Sequence, residues 1–255
     1  MPQAETWALG ERSVAVFSAR SPGTDASNED SAAVLDLDQD RHVLAVADGM
    51  GALPGGADAS RVALEQLTGS VERGSAAGAG LRESILDGFE AANREVVGRG
   101  SGGGTTLAVV EVNGSQVRSY HVGDSTVMLV GQRGKLKHLT VAHSPVGYAV
   151  EAGMLDEDEA LGHEDRHVIS NMIGSAEMKI EVGPVLEMAP RDTLVIASDG
   201  LFDNLRLDDI STALRNGPLD RSVQQTIERC QRQMTTADAD PPGKPDDLTL
   251  LVYRM

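Results

Sequence analysis

One phrase occurs twice in this chain and constrains the fold more than any other. Leu44-Ala-Val-Ala-Asp-Gly-Met-Gly51 and Leu194-Val-Ile-Ala-Ser-Asp-Gly-Leu201 each pass through apolar residues and stop at Asp-Gly. A strand with one face in water alternates apolar and polar residues; a run without that alternation belongs in a core, as a strand with no exposed face. Each copy then presents a carboxylate at its open end. The glycine adds a tight turn and lets backbone come close to whatever lies beside it. A third acidic pair, Asp246-Asp247, opens the apolar run Leu248 to Tyr253. Three such strands delivering carboxylates to one place make a site for Mg²⁺ or Mn²⁺, hard cations that take oxygen ligands.

The chain's 255 residues are enough to bury a sizeable core, and 40% hydrophobic with 24% charged residues is a globular composition. A formal net charge of −17 argues against nucleic acid or an anionic membrane as partner, since both require basic surface. The single cysteine, Cys230, allows no internal disulfide and suits a reducing compartment. It shares a helical face with Leu219, Val223, Ile227 and Met234, the pattern of a packed core thiol. There is no basic N-terminal segment leading into an apolar run, and no apolar run approaches the ~20 residues of a membrane span. A soluble, cytoplasmic protein is expected.

Read in order, residues 5–20 form one or two strands, and a turn-rich loop leads to Asn28-Glu-Asp30 and a strand over Ala32–Leu37. Asp36-Leu-Asp-Gln-Asp-Arg41 starts like a calcium loop. Arg41, however, stands where that loop needs glycine, so a polar hairpin turn is expected. Ala59, Ala63, Leu67 and Val71 mark one helix, and Leu81, Ile85, Phe89, Ala92 and Val96 a second, with Gly74–Gly80 as linker. The G-x-G-x-x-G string within Gly98–Thr106 does not follow a strand and open a helix, so it is a loop and not a dinucleotide fingerprint. Strands follow at Leu107–Val112, Gln116–Val122, Thr126–Val130 and Lys135–Leu139, separated by hairpin signals such as Asn113-Gly114. Residues 144–166 read as an inserted segment of short helices. Strands are expected again at His167–Ile173, Ile180–Glu187 and Thr193–Ala197. Two short helices after Asp203, a long one over Leu219–Met234 and the last strand complete the chain. This order implies an α+β fold with sheets packed together and helices outside.

Asn28-Glu-Asp30, Val46-Ala-Asp-Gly-Met-Gly51, Gly104-Thr-Thr106, Val122-Gly-Asp-Ser125, Ala197-Ser-Asp-Gly200 and Asp246-Asp247-x-Thr249 stand in this order along nearly the whole chain. Together they resemble the motifs of the metal-dependent serine/threonine protein phosphatases, the type 2C family, in its bacterial form. The resemblance implies a four-layer αββα sandwich, two antiparallel sheets flanked by helix pairs, with the metal site at one end and the whole chain as one catalytic domain. It implies that Asp48 bridges two metals, Gly49 lends its carbonyl, and Asp199 and Asp246 hold one metal. Glu29 and Asp30 act mainly through ordered waters, and Asp124 with Asp199 supplies a third, weaker metal. The cofactor would be Mn²⁺ or Mg²⁺. A water held between two cations ~3.5–4 Å apart is lowered toward pKa ~7 and would attack phosphorus in line. Residues 144–166 correspond to the flap beside the cleft, where substrate choice lies.

Phosphoserine and phosphothreonine proteins are the implied substrates, with a serine/threonine kinase as the opposing activity and a monomer as the working form. Two readings from other classes stay open at this stage: a binding module that kept the fold and lost the chemistry, and a hydrolase of small phosphoesters. Three departures from the family pattern bear on them. Asp25 stands where the family has a phosphate-gripping arginine; Arg20, in the same loop, either takes that role or faces solvent. Met50 replaces the histidine found in some members, and Asp247 the commoner asparagine. The remaining histidines show no zinc-ligand spacing, His143 is expected to be structural, and Met172, Met178 and Met188 are expected to fill core.

Overall fold

The computed structural model describes residues 3–50, 55–100, 102–236 and 242–255. Gly51 and Ser101 of the segments discussed above therefore lie outside the described residues. In chain order the elements are β1 (Glu5–Leu9), β2 (Arg12–Ala19), β3 (Asp30–Asp36), β4 (Arg41–Asp48), α1 (Gly56–Ala77), α2 (Leu81–Arg99), β5 (Leu107–Asn113), β6 (Gln116–Val122), β7 (Thr126–Val130) and β8 (Leu136–Leu139). Then come α3 (Pro145–Glu151), α4 (Glu157–Leu161), β9 (Glu181–Val182), β10 (Leu186–Glu187), β11 (Thr193–Ala197), α5 (Asp199–Phe202), α6 (Leu207–Leu214), α7 (Leu219–Thr235) and β12 (Leu248–Arg254). One sheet runs β1-β2-β12-β11-β7-β8; the other runs β10-β6-β5-β4-β3, with β9 also on β6. The strand pairs are antiparallel.

Three separate hydrophobic cores make four layers. Val43, Ala45 and Ala47 of β4 pack with Leu67, Ile85 and Phe89 of α1 and α2. Leu44 and Val46, on the opposite face of the same strand, pack with Leu129, Ile196 and Leu251 of the other sheet. Val195 and Ala197 of β11 join Ile210, Val223 and Ile227 of the second helical layer. β4 and β11 are thus buried on both faces, which is why neither shows a polar alternate. Cys230 lies in the same helical core as Val223 and Met234, and burial pushes its thiol up to about 12. It is inert packing, as its helical face implied.

The expected elements and the observed ones differ at four places. α1 extends through Gly74 to Ala77, so the linker shrinks to residues 78–80. A Cβ on Gly74 would lie 1.9 Å from Ser84 Oγ, so the glycine marks the close approach of α1 and α2 and not a break. His167–Ile173 is not a strand: Ser170 N–H bonds His143 O, and only Ile173 forms an isolated bridge, to Thr105. Ile180–Glu187 is cut into β9 and β10 at Gly183-Pro184, where proline has no N–H to give the ladder. The first of the two short helices begins at Asp199 itself instead of after Asp203. Residues 144–166 carry α3 and α4; α4 opens with a reciprocal capping box between Asp156 and Glu159. No helix among the described residues is long and apolar enough to cross a membrane.

Candidate active site

Chain segments from both sheets end at one end of the sandwich, and each brings an acid. Asp48 is the last residue of β4, and its register partner is Asp30, the first residue of β3. Asp124 stands in the turn where the chain leaves β6 in one sheet for β7 in the other. Asp199 opens α5 directly after β11, and Asp246 precedes β12 by two residues.

The polar motifs hold these acids in place. Asp48 N–H donates to Thr106 Oγ1 at 2.9 Å, while the Thr105 hydroxyl and Thr106 N–H donate to Asp48 O at 2.8 and 2.9 Å. Thr106 Oγ1 lies 2.6 Å from Ser125 Oγ, which ties the Asp48 end to the Asp124 turn. The Ser198 hydroxyl donates to Asp30 Oδ2 at 2.7 Å. Asp247 accepts from Ser21 N–H at 2.7 Å and Glu29 N–H at 2.6 Å, so the second acid of the C-terminal pair fastens the loop that carries Glu29. The Asp-Gly glycines are required by backbone. A Cβ on Gly49 would lie 2.3 Å from Gly56 O, and one on Gly200 would lie 2.0 Å from Asp247 O.

Burial first, and crowding second, set the protonation of the cleft. Burial raises Asp48 well above the usual carboxylate range, and Asp30, Asp199, Asp124 and Asp246 push the same way. Burial takes Asp30 to about 7 against the hydrogen bond from Ser198. Asp124 is raised by burial and then by Asp199 and Asp203, and Glu29 by burial and then by Asp247. Burial, then Asp199, takes Asp203 to about 7 and Asp246 to about 6, while Lys244 pulls both down.

Two participants in this cleft were not singled out from the sequence. Asp203 follows Asp199 by four residues, a spacing that puts both on one helical face and was readable as such. Lys244 carries no local signal; it is a lone cation in a proline-rich turn. Its Nζ meets Asp199 Oδ2, lies 2.9 Å from Asp203 Oδ2 and 3.1 Å from Asp246 Oδ2. Burial alone would lower its pKa, but Asp199, Asp203 and Asp246 outweigh that and raise it.

The donor set is made of oxygens, the ligands hard divalent cations take. Asp30 Oδ1 and Asp124 Oδ1 are buried without a hydrogen-bond partner, so the site holds acceptors that a cation or its waters would satisfy. These residues fit Mg²⁺ or Mn²⁺. A cleft of about 250 Å³ opens beside Asp124, Asp199 and Asp203, and Val146, Val150 and Leu161 of α3 and α4 line its far side. Arg20 is more than half exposed, with its guanidinium 3.6 Å from Asp25.

A histidine pair also forms that the spacing did not foretell. Among the described residues, His121, His143 and Glu181 are the trio whose candidate ligand atoms all lie within 4.8 Å of one another. His143 Nδ1 accepts from Gly123 N–H at 3.1 Å, so in the neutral ring the proton is on Nε2, which faces Glu181 Oε2 at 3.2 Å. A protonated ring nitrogen is not a metal ligand. His143 stacks on His121 at 4.4 Å between centroids and clamps the Gly123 turn, the structural role expected of it.

Comparison with known proteins gives one consistent outcome. The family model described as protein phosphatase 2C matches residues 21–239. The serine/threonine phosphatase stp of Listeria monocytogenes serotype 4b is 30% identical over 234 residues, 88% of this chain and 89% of that one. The crystal structure of the Mycobacterium tuberculosis serine/threonine phosphatase PstP/Ppp superposes with a TM-score of 0.79 at 26% identity, covering 96% of this chain and 98% of that one. The catalytic domain of the serine/threonine protein phosphatase PstP, solved in complex with two manganese ions, gives 0.77 at 26% identity, covering 95% and 97%.

Proposed function

We propose, since the chain belongs to the protein phosphatase 2C family, that it is a metal-dependent phosphatase that hydrolyses phosphoserine and phosphothreonine in proteins. The observation that carries this reading is the convergence of Asp48, Asp30, Asp124 and Asp246 around Asp199, whose charge helps to raise the pKa of each of the other four. Asp48, Asp199 and Asp246, with the Gly49 carbonyl and Glu29, would hold two divalent cations, and Asp124 with Asp199 would hold a third. The working ion is Mn²⁺ or Mg²⁺. Bound there, such cations neutralise phosphate charge and supply a water of lowered pKa.

The chain's own residues supply position. Thr105 and Thr106 pin the Asp48 backbone, Asp247 pins the loop bearing Glu29, and Ser198 leaves Asp30 one oxygen free to orient a water. The whole chain is one catalytic domain, and residues 144–166 are the flap that selects substrate. A cytoplasmic monomer opposing a serine/threonine kinase is the setting this implies. Arg20 is the cation of the loop where the family's arginine is missing, and an Arg20→Ala variant reads its share in phosphate binding through KM.

A phosphothreonine peptide assay tests the reading. Chelator-treated protein is expected to release phosphate only after Mn²⁺ or Mg²⁺ is restored, and faster from the peptide than from a small aryl phosphate. Cation-independent release, or none with either ion, would sink the assignment. A preference for the aryl phosphate would move the substrate class to small phosphoesters.

A further inference from the structure

We propose that Lys244 is an internal cation that holds the Asp199 side of the cleft and must be displaced by a divalent ion, so that the ions of this centre bind with unequal affinity. The proposal rests on the metal-centre reading above. An ammonium has three N–H donors, and Lys244 Nζ meets three carboxylates, of Asp199, Asp203 and Asp246. The placement is built in. Lys244 N–H donates to Asn204 Oδ1 at 2.8 Å, and Asn204 Nδ2 donates back to Lys244 O at 2.9 Å and to Gly200 O at 3.0 Å. Asn204 is buried, so the backbone of Lys244 is clamped to the helix that Asp199 opens. On the other side, among the described residues, Asp30 and Asp48 form no ion pair, while Asp124, between the two sides, has none either but feels Lys244 at longer range.

The two sides therefore meet an incoming cation differently. At Asp48 a divalent ion relieves repulsion between acids. At Asp199 and Asp246 it comes within a few ångströms of an ammonium already there, and like charges at that distance repel strongly in a partly buried site. The lysine side chain is one-fifth exposed on a flexible stem, so it has a path to solvent when displaced. Ion binding on this side thus includes the loss of three contacts of the ammonium, and the same contacts hold the metal-free protein together.

Calorimetric Mn²⁺ titration with the full chain, alongside melting temperature without metal, tests this. Wild type is expected to show two classes of Mn²⁺ site. Lys244→Met should tighten the weaker class by about tenfold or more, leave the stronger class within about threefold, and lower the metal-free melting temperature. Lys244→Arg, which keeps the charge, should not tighten it. If Lys244→Met does not fold, Lys244→Gln, which keeps a hydrogen-bonding group, is read in its place. Neutral variants whose isotherms match wild type, or bind more weakly, overturn the proposal while leaving the phosphatase reading standing. Absence of Mn²⁺ binding in every variant and in wild type removes the metal centre itself, and the proposal with it.

Discussion

Asp48-Gly49 and Asp199-Gly200 end runs of nearly the same composition, and each glycine is packed against backbone from elsewhere, Gly56 in one case and Asp247 in the other. Their surroundings diverge. Asp48 stays in the sheet, faces Asp30 across the β3–β4 ladder, and has other acids as its charged neighbours. Asp199 turns into a helix, is joined by Asp203 at the C-terminal cap of that helix, and shares Lys244 with it and with Asp246. Local sequence thus sets where a carboxylate emerges, and distant sequence sets whether it is compensated. One side of this cleft is unbalanced until a cation arrives; the other carries a cation of its own.

The most damaging blow to the contrast would come from the paired variants Asp48→Asn and Asp199→Asn. Both are expected to lower metal-dependent turnover by roughly a hundred- to thousandfold. Without metal they should differ in sign. Asp48→Asn removes a repelled buried acid and should raise stability by about 1 kcal/mol, whereas Asp199→Asn strips Lys244 of a partner and should lower it by about 1–3 kcal/mol. Chemical denaturation of chelator-treated protein reads this, and two shifts of the same sign would break the comparison.

The feature common to both ends is tested by Gly49→Ala and Gly200→Ala. Each new methyl would meet a carbonyl oxygen at 2.3 or 2.0 Å, and backbone must move to admit it. A loss of about 2–3 kcal/mol is expected from each, read by the same denaturation. A variant as stable as wild type would mean that the close approach is not needed there.

A graded effect of similar size is expected from Mn²⁺. At about 100 times its dissociation constant it should stabilise the fold by about 2.7 kcal/mol, a rise of roughly 5–10 °C in melting temperature. An unchanged melting curve at millimolar Mn²⁺ would count against cation binding on either side.

The pH response has a sign set by the raised acids. Asp30 and Asp203 are raised to about 7 and Asp246 to about 6, above the ordinary carboxylate value near 3.8. A raised folded-state pKa means that the folded form holds the proton more tightly. The contribution is fully present below about pH 4 and is lost as pH rises through 6 to 7. Metal-free protein should therefore melt lower at pH 7.5 than at pH 5.5, and Mn²⁺, which favours the ionised acids, should shrink or reverse that difference. A metal-free melting temperature that climbs over this range would show the acids to be far better compensated than the contrast allows.

Much of the architecture was legible because it is written in periodicity. The helical faces of α1, α2 and α7 and the doubly buried runs of β4 and β11 are local patterns whose physical cause is burial of one face or two. The expected strand at Ile180–Glu187 failed for an equally local reason, a proline without an N–H, and that at His167–Ile173 because its backbone partners are His143 and Thr105 instead of a neighbouring strand.

By itself the sequence determined most of the strands, the helical faces and the order of acidic motifs, because hydrophobic spacing and turn chemistry act over a few residues. Only the tertiary structure decided that Asp247 fastens the Glu29 loop, that His143 stacks on His121, and that Lys244 reaches three acids. Except for Lys244 and Asp246, the partners in those contacts stand far apart in the chain. The field at a charge is the sum over neighbours in space, and no local pattern records which neighbours those will be.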